Sequence, residues 1–539
     1  MKHTATLLLL FLFSASLMAQ IPESFDLRDY NDNNYVTSVK SQIEGTCWTH
    51  GSMAAIEGNL LMTGVWANAG ETGEPNLAEY HLDWWNGFNQ HNNDDLTPTS
   101  GSGLEVHQGG DYRVTTAYLS RGEGAVRDID GQSFETAPER TNATYHYYYP
   151  RTVEWFTLGS GLDGIDVIKQ QIMDEGVMAT CMCYAGSFIN GNYCHYQPAS
   201  SSEEPNHSIA IIGWDDNLQT QAPLPGAWLC KNSWGTWWAN DGYFWISYYD
   251  KQACRNPEMG AISFTEVEPM QYEKVFYYDY HGWRDEQPEI TTAANRFDID
   301  GDYFMEAVSF FTNDNNINYE ISVYESIDAS GPEGLLSTVS GTIEHSGFHT
   351  IDLPAPLSLM GMDEVVVYLS LEGGSGIAYD RTSDVPVLLG GNQRTIVESV
   401  AAPNESFYFD INDETWKDFY DYDDPSGFQN SGNFCIKALA VSTAVGIEKK
   451  SSSLPMDINC YPNPVMQQTT IQIHSTIEGN AQLAIIDCFG RNVYTQSIDL
   501  SKGGNTIEWT KPSELTSGIY HVLLYNNNIL SGKTKLLIK

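Results

Sequence analysis

The stretch Gln42-Ile43-Glu44-Gly45-Thr46-Cys47-Trp48, with Met53, Ile56 and Leu60 following at helical spacing, reads as a cysteine placed at the start of a buried helix. A thiol in that position meets the positive end of the helix macrodipole and unpaired backbone N–H groups, and both favour the thiolate. Taken alone, the stretch also fits an inert buried cysteine beside a tryptophan, because free cysteine is among the most buried residue types. Two distant segments decide between the readings.

The first, Asn206-His207-Ser208-Ile209-Ala210-Ile211-Ile212-Gly213, is a histidine at the mouth of a short apolar run and predicts a buried strand. The second, Ala227-Trp228-Leu229-Cys230-Lys231-Asn232-Ser233-Trp234-Gly235, puts an asparagine beside a tryptophan at the end of another strand. A cysteine nucleophile needs an imidazole as ion-pair partner and proton shuttle, and the imidazole needs a third group to hold its ring. Cys47, His207 and Asn232 supply those roles in that chain order.

With these motifs the first half of the chain resembles the papain-like cysteine peptidases. Pro22-Glu23-Ser24-Phe25-Asp26-Leu27-Arg28 is similar to the family's mature start, Leu77-Ala78-Glu79 to its next landmark, and Gly109-Gly110 before Ala117-Tyr118-Leu119 to a third. The resemblance implies that Cys47 is the nucleophile, His207 the general acid/base and Asn232 the orienting group. It also implies that Gln42 is an oxyanion-hole donor and that Trp234 shields the Asn232–His207 contact. Gln42 stands five positions before Cys47, where the family usually has six, and Glu44, a carboxylate near the thiol, is expected to face solvent. The separations of 160 residues from Cys47 to His207 and 25 from His207 to Asn232 are long. Polar loops around Gln197 to Pro205 and Asn217 to Gly226 absorb the excess. The peptidase motif begins directly after the leader, which leaves no room there for the inhibitory propeptide many relatives carry.

Rival histidines carry weaker contexts. His50, on the nucleophile's own helix, cannot readily reach around to the sulfur and is expected at the surface. His81, His107 and His195 read as ordinary surface or loop histidines. Cys181, Cys183, Cys194 and His195 have poor zinc spacing, and no metal is expected at the catalytic site. Nine cysteines permit disulfides in an oxidising compartment without requiring them.

Lys2 and His3 lead into a seven-residue apolar core, Leu7 to Phe13, followed by Ser16-Leu17-Met18-Ala19, the pattern of a signal peptide over residues 1–19. No other run reaches membrane-spanning length. The formal net charge of −43 excludes nucleic acid and anionic membrane surfaces as natural partners. Calcium is conceivable at Asp298, Asp300 and Asp302, or at Asp421, Asp423 and Asp424 with Asp410 and Asp413. A solvated acidic face is the simpler reading, since neither run has a full calcium-loop ligand set.

From about residue 270 strands dominate, with Tyr319 to Tyr324, Phe348 to Leu353 and Glu364 to Leu371 separated by turn signals, which predicts a β-sandwich. With Ala307 to Thr312 this region resembles the lectin-like domain that follows some bacterial papain-like peptidases, and that implies glycan binding. Ser451-Ser452-Ser453 marks a linker, and the 84 residues from Met456 carry six basic and six acidic groups, so the acidity lies upstream. Tyr461-Pro462-Asn463-Pro464, Asp487-Cys488-Phe489-Gly490-Arg491, Gly518-Ile519-Tyr520 and the closing Lys535-Leu536-Leu537-Ile538-Lys539 resemble the C-terminal sorting domain of type IX secretion substrates. That implies export by the type IX machinery to the medium or the cell surface.

The expected architecture is therefore multidomain: an α+β papain-like domain over residues 20–268 and a lectin-like β-sandwich over 269–446, then a linker over 447–455 and an Ig-like sorting sandwich over 456–539. The expected function is a secreted cysteine endopeptidase acting on proteins or peptides without a cofactor. The alternatives are a catalytically silent scaffold that binds surface glycans, and an aminopeptidase or transpeptidase on the same fold.

Overall fold

The computed structural model describes residues 21–159, 161–374, 376–386, 394–423, 425–442, 456–463, 465–475, 478–487, 492–512, 515, 518–526 and 529–539. The signal peptide, the linker serines, Asp424, Pro464 and the Cys488 to Arg491 turn lie outside them.

Four helices matter to the site: α1 (Cys47–Thr63), α2 (Glu79–Trp85), α3 (Tyr112–Ser120) and α4 (Ile165–Glu175). Cys47 through Leu60 are all buried, so α1 is wrapped on every side, as its apolar content on all faces requires. It stops at Gly64, whose φ of 70° lets its N–H return to the Leu61 carbonyl. The small residues of α1 allow a close approach to the sheet. A Cβ on Gly51 would stand 2.2 Å from Ser208 Oγ, and one on Gly58 would stand 2.5 Å from Val177 Cγ2.

The sheet against α1 is built from β1 (Tyr148–Phe156), β2 (Met178–Met182), β3 (His207–Asp215), β4 (Ala227–Lys231), β5 (Tyr243–Ser247) and β6 (Ala261–Pro269). The lectin-like part contributes β7 (Lys274–Phe276), β8 (Thr292–Asp298), β9 (Tyr303–Thr312), β10 (Ile317–Asp328), β11 (Gly331–Ile343), β12 (Gly347–Ser358), β13 (Glu364–Glu372), β14 (Ser406–Asp410), β15 (Thr415–Asp418) and β16 (Ile436–Ser442). One twelve-stranded sheet crosses from the first part into the second in the order Cys194–His195, β5, β4, β3, β2, β6, β1, β12, β9, β16, β7, with Ser24–Asp26 added on β3.

At the seam Gly347 stands opposite Glu154, Phe348 opposite Val153 and His349 opposite Thr152. Gly347 has φ 150°, and a Cβ there would lie 1.9 Å from the Val153 carbonyl oxygen, so the pairing requires glycine. Tyr149 Oη meets Thr350 Oγ1 at 2.8 Å, and Arg151 Nη2 donates to Asp352 Oδ1 at 2.6 Å. Phe311, Phe348 and Leu439 belong to the same buried cluster as Trp48 and Ile209. The two parts thus share hydrogen bonds and core.

The β12–β9–β16–β7 end of this sheet faces a six-stranded sheet, β11-β10-β13-β8-β14-β15, across a second core that includes Phe310, Val323, Val367 and Ile436. The strands expected at Tyr319 to Tyr324, Phe348 to Leu353 and Glu364 to Leu371 appear in β10, β12 and β13. The C-terminal part is a separate sandwich of three strands (Met456–Tyr461, Gln468–Ser475, Gly503–Thr510) against four (Asn492–Leu500, Gly479–Asp487, Gly518–Asn526, Ile529–Ile538). Its own core holds Ile471, Leu483, Trp509 and Val522. Among the described residues no helix is long and apolar enough to cross a membrane.

The seam predicts one calorimetric transition for the peptidase and lectin-like parts together. Gly347→Val should destabilise that transition by about 1–3 kcal/mol through overpacking. Separate transitions for the two parts, or an unchanged Tm in the variant, would contradict it.

Candidate active site

Cys47 opens α1, 2 % exposed, with Thr46 Oγ1 donating to the Ile43 carbonyl at 2.8 Å to shape the turn before it. Because Gly51 lets α1 press on Ser208, the first turn of the helix reaches the mouth of β3. Around the sulfur, the Ser208 backbone, the Gln42 side chain and the amides of the helix start favour the thiolate. His207 opens β3, and its Nε2 lies 2.7 Å from Asn232 Oδ1, just beyond the end of β4. A carboxamide oxygen only accepts, so Nε2 carries the proton and Nδ1 is the accepting nitrogen. Trp234 stacks on the imidazole at 4.4 Å and 26°, and Tyr184 and Trp238 pack edge-on against Trp234.

Gln42 is tied to the same corner despite its short spacing. Its Oε1 accepts from Ser233 Oγ at 2.7 Å, its Nε2 donates to the Glu44 carbonyl at 2.8 Å, and its N–H donates to the Ser233 carbonyl at 2.7 Å. Glu44 faces solvent, where its carboxylate accepts from Gln108 Nε2 at 3.0 Å.

The electrostatics depart from the expected helix-start thiolate. Burial pushes the Cys47 thiol up to about 12, and the surrounding N–H donors offset only part of that. Burial likewise pushes His207 down to about 4, against the Asn232 hydrogen bond. An isolated charge on either group is disfavoured by this burial.

Other expectations are corrected. His50 is buried, not exposed; its Nδ1 meets the Thr46 carbonyl at 2.8 Å, and burial lowers its pKa. His81 is fully buried between Tyr118 Oη at 2.6 Å and the Arg140 carbonyl at 3.0 Å. His195 is fully buried, with Nε2 2.9 Å from the Cys183 carbonyl and Nδ1 3.1 Å from Asp250. His107 is half-buried, pairs with Asp83 and stacks on Phe134 at 4.0 Å. His50, His81 and His195 are structural, each buried on a helix or strand that offers a polar partner, and His107 lies in a turn, as expected of a loop histidine. All eight described cysteines are free. Of the acidic runs, Asp300 accepts from Lys274 at 2.8 Å and Asp410 from Lys417 at 2.7 Å.

Sequence reading missed a buried ionic cluster behind Asn232. Lys40 bridges Glu57 at 2.7 Å and Glu79 at 2.6 Å. Glu57 also accepts from Thr37 Oγ1 and the Leu77 N–H, and Lys231 Nζ donates to Thr37 at 2.9 Å. Lys40, Glu57, Glu79, Lys231 and Asn232 line a small cavity between α1, β3 and β4. The signals were Glu57, the one acidic residue of a wholly buried stretch of helix, and Lys231 at the end of an apolar strand. Burial lowers Lys231 to about 8.

A thiol at a helix start and an imidazole held by an amide, on an α-helix packed against a sheet, are the arrangement expected of a papain-type cysteine peptidase. Residues 139–263 match the family model of papain family cysteine proteases, 275–440 that of the lectin like domain, and 459–539 that of the secretion system C-terminal sorting domain. Procathepsin L of Felis catus is 27% identical over 240 residues, covering 43% of this chain and 62% of that protein. Cysteine proteinase A of Leishmania mexicana is 23% identical over 227 residues, covering 42% and 55%. The chain thus spans little more than half the length of these curated relatives. A clostridial cysteine protease, Cwp84, solved after propeptide cleavage, superposes with TM-score 0.63 at 21% identity over 78% of this chain and 99% of that one. The cysteine protease and lectin-like domains of the same surface layer associated protein of Clostridium difficile give 0.62 at 22% identity, covering 78% and 89%. The chain therefore carries a papain-family domain, a lectin-like domain and a C-terminal sorting domain, in that order, and the last marks it as secreted or displayed at the cell surface.

Transfer of the Cys47 proton to His207 is testable through the alkylation kinetics of Cys47. His207→Ala should slow modification by a small neutral alkylating agent at pH 7 by about 100-fold or more. In the variant the lone thiol, pushed up to about 12, should react faster as pH rises through 9 without a plateau. A plateau near neutrality would show that Cys47 ionises without the imidazole.

Proposed function

We propose that this chain is a secreted cysteine endopeptidase that hydrolyses peptide bonds through Cys47, His207 and Asn232. The observation that carries the reading is the shared corner where Cys47 opens α1, Gly51 one turn on lies against Ser208, and the adjacent His207 at the mouth of β3 is oriented by Asn232. In the reaction the thiol proton passes to His207 Nδ1 and the thiolate attacks the scissile carbonyl. Backbone N–H groups at the helix start, with Gln42, hold the oxyanion. His207 then protonates the leaving amine and activates the water that releases the acyl group. Trp234 covers the His207–Asn232 contact and keeps that hydrogen bond out of water. The steps draw on protein groups alone, and calcium at the acidic loops enters none of them.

An epoxide inactivator of cysteine peptidases should add once to the mature protein, at Cys47, and not to Cys47→Ala. End-blocked peptides should be cleaved. No labelling of folded protein under reducing conditions would favour a silent scaffold, and cleavage restricted to free termini would favour an aminopeptidase or transpeptidase. The sorting domain gives the type IX secretion machinery as a partner, and deleting residues 456–539 should leave the protein in the periplasm.

A second role rests on the outer face of the six-stranded sheet. Tyr324, Tyr368, Trp416 and Phe409 form a chain of rings there, with centroids 6.1, 6.0 and 5.9 Å apart in succession, and Ser322, Ser370 and Thr292 lie beside them. Flat apolar rings interleaved with hydroxyls suit a saccharide, and we assign glycan binding to this face. Trp416→Ala should abolish retention of the mature protein on a glycan array without changing peptide cleavage. Absence of any retained glycan in the parent protein would remove this role.

A further inference from the structure

Where loop 86–95 of the papain-family domain meets the lectin-like domain, Asp95, His281 and Asp380 converge. Their ligand-capable atoms lie within 4.8 Å of one another. His281 and Asp380 are buried, and the Asp95 side chain is 15% exposed. His281 Nε2 lies 3.1 Å from the Gly87 carbonyl, which only accepts, so this nitrogen carries the proton and the Nδ1 lone pair faces the two carboxylates. Asp95 Oδ2 is 3.7 Å and Asp380 Oδ1 3.8 Å from Nδ1, too far for hydrogen bonds.

The hydrogens available do not satisfy this cluster. Ser399 Oγ stands 2.7 Å from both Nδ1 and Asp380 Oδ1, and its single hydrogen serves one of them. Asp380 Oδ2 receives the His281 backbone N–H at 2.9 Å, and among the described residues Asp95 Oδ2 receives only the long Val400 N–H at 3.4 Å. Arg121 and Arg284 soften the charge without reaching the acceptors: Arg121 donates to the Tyr280 and Asn86 carbonyls, and Arg284 Nε to the Trp283 carbonyl. Nδ1, Asp380 Oδ1 and Asp95 Oδ2 thus face one another in a buried junction with the Ser399 hydrogen and the long Val400 N–H between them. A histidine whose other nitrogen is fixed by a backbone carbonyl is the usual arrangement behind a metal-ligating imidazole.

We propose that Asp95, His281 and Asp380 bind a zinc-class divalent ion that staples loop 86–95 to the lectin-like domain. Zinc bonds to nitrogen and carboxylate oxygen at about 2.0–2.2 Å, so its ligand atoms sit roughly 3.3–3.6 Å apart, a small inward turn of the carboxylates from the positions described. An imidazole ligand selects this class over calcium or magnesium, which take oxygen. The staple bears on the cleft, because the chain leaving this loop reaches His107, whose carbonyl accepts the Gly45 N–H just before Cys47. The proposal is independent of the peptidase reading.

The test uses the full mature chain with Cys47→Ala, so that the active-site thiol takes no zinc. Chelator-stripped protein reloaded with zinc and desalted should retain one equivalent and gain several degrees in Tm, and calcium should give no gain. Cobalt in place of zinc should show absorption of nitrogen–oxygen coordination. Asp95→Asn, on the more exposed ligand, should leave the stripped protein's Tm unchanged and weaken zinc binding at least about tenfold. Asp380→Asn should do the same; should it fail to fold, Asp95→Asn alone decides. No retained zinc, or retention and Tm gain equal in Asp95→Asn, would overturn the site.

Discussion

The approach of α1 to β3 at Gly51 and Ser208 is the constraint on which the site depends. A helix start supplies N–H donors wherever it lies, and a strand end supplies a histidine wherever it lies. Only the missing side chain at position 51 lets the residue following His207 pack against the helix one turn from Cys47. The burial that follows from this fit is also why neither reacting group favours a charge alone. Tight packing and acid–base pairing are two sides of one geometry.

Behind that contact stands the Lys40–Glu57–Glu79 cluster, which joins α1, the start of α2 and the segment before Gln42. Buried charges are costly unless mutually satisfied, and breaking one partner of such a set costs far more than never building it. Lys231, the neighbour of Asn232, is tied by Thr37 to the same cluster. The orienting asparagine is therefore anchored through its own backbone to the floor of the site. Each of Thr37, Lys40 and Lys231 looks unremarkable in its local sequence.

Legibility followed locality. Cys47, His207 and Asn232 were readable because each sits in a short segment whose pattern alone sets its element and exposure: a helix start, a strand mouth and a strand end. The strands of the lectin-like part were readable for the same reason, through short runs of β-branched and aromatic residues set between turn signals. The burial of His50, His81 and His195 was not, because it depends on partners such as Tyr118 and Asp250 that are distant in sequence. Nor was the sheet that passes from β1 to β12, because strand pairing at a sheet edge depends on which neighbour arrives, and the only local trace is one glycine, Gly347.

That shared sheet has a consequence for how the molecule tolerates cutting. The covalent link between the two parts runs through the short stretch from β6 to β7, yet the β1–β12 ladder and the cluster around Phe311 and Phe348 join them without it. A single cleavage at residues 270–273 would leave both pieces hydrogen-bonded into one sheet. A protein working among extracellular proteases, its own kind included, can thus be nicked at its obvious junction and still travel as one particle.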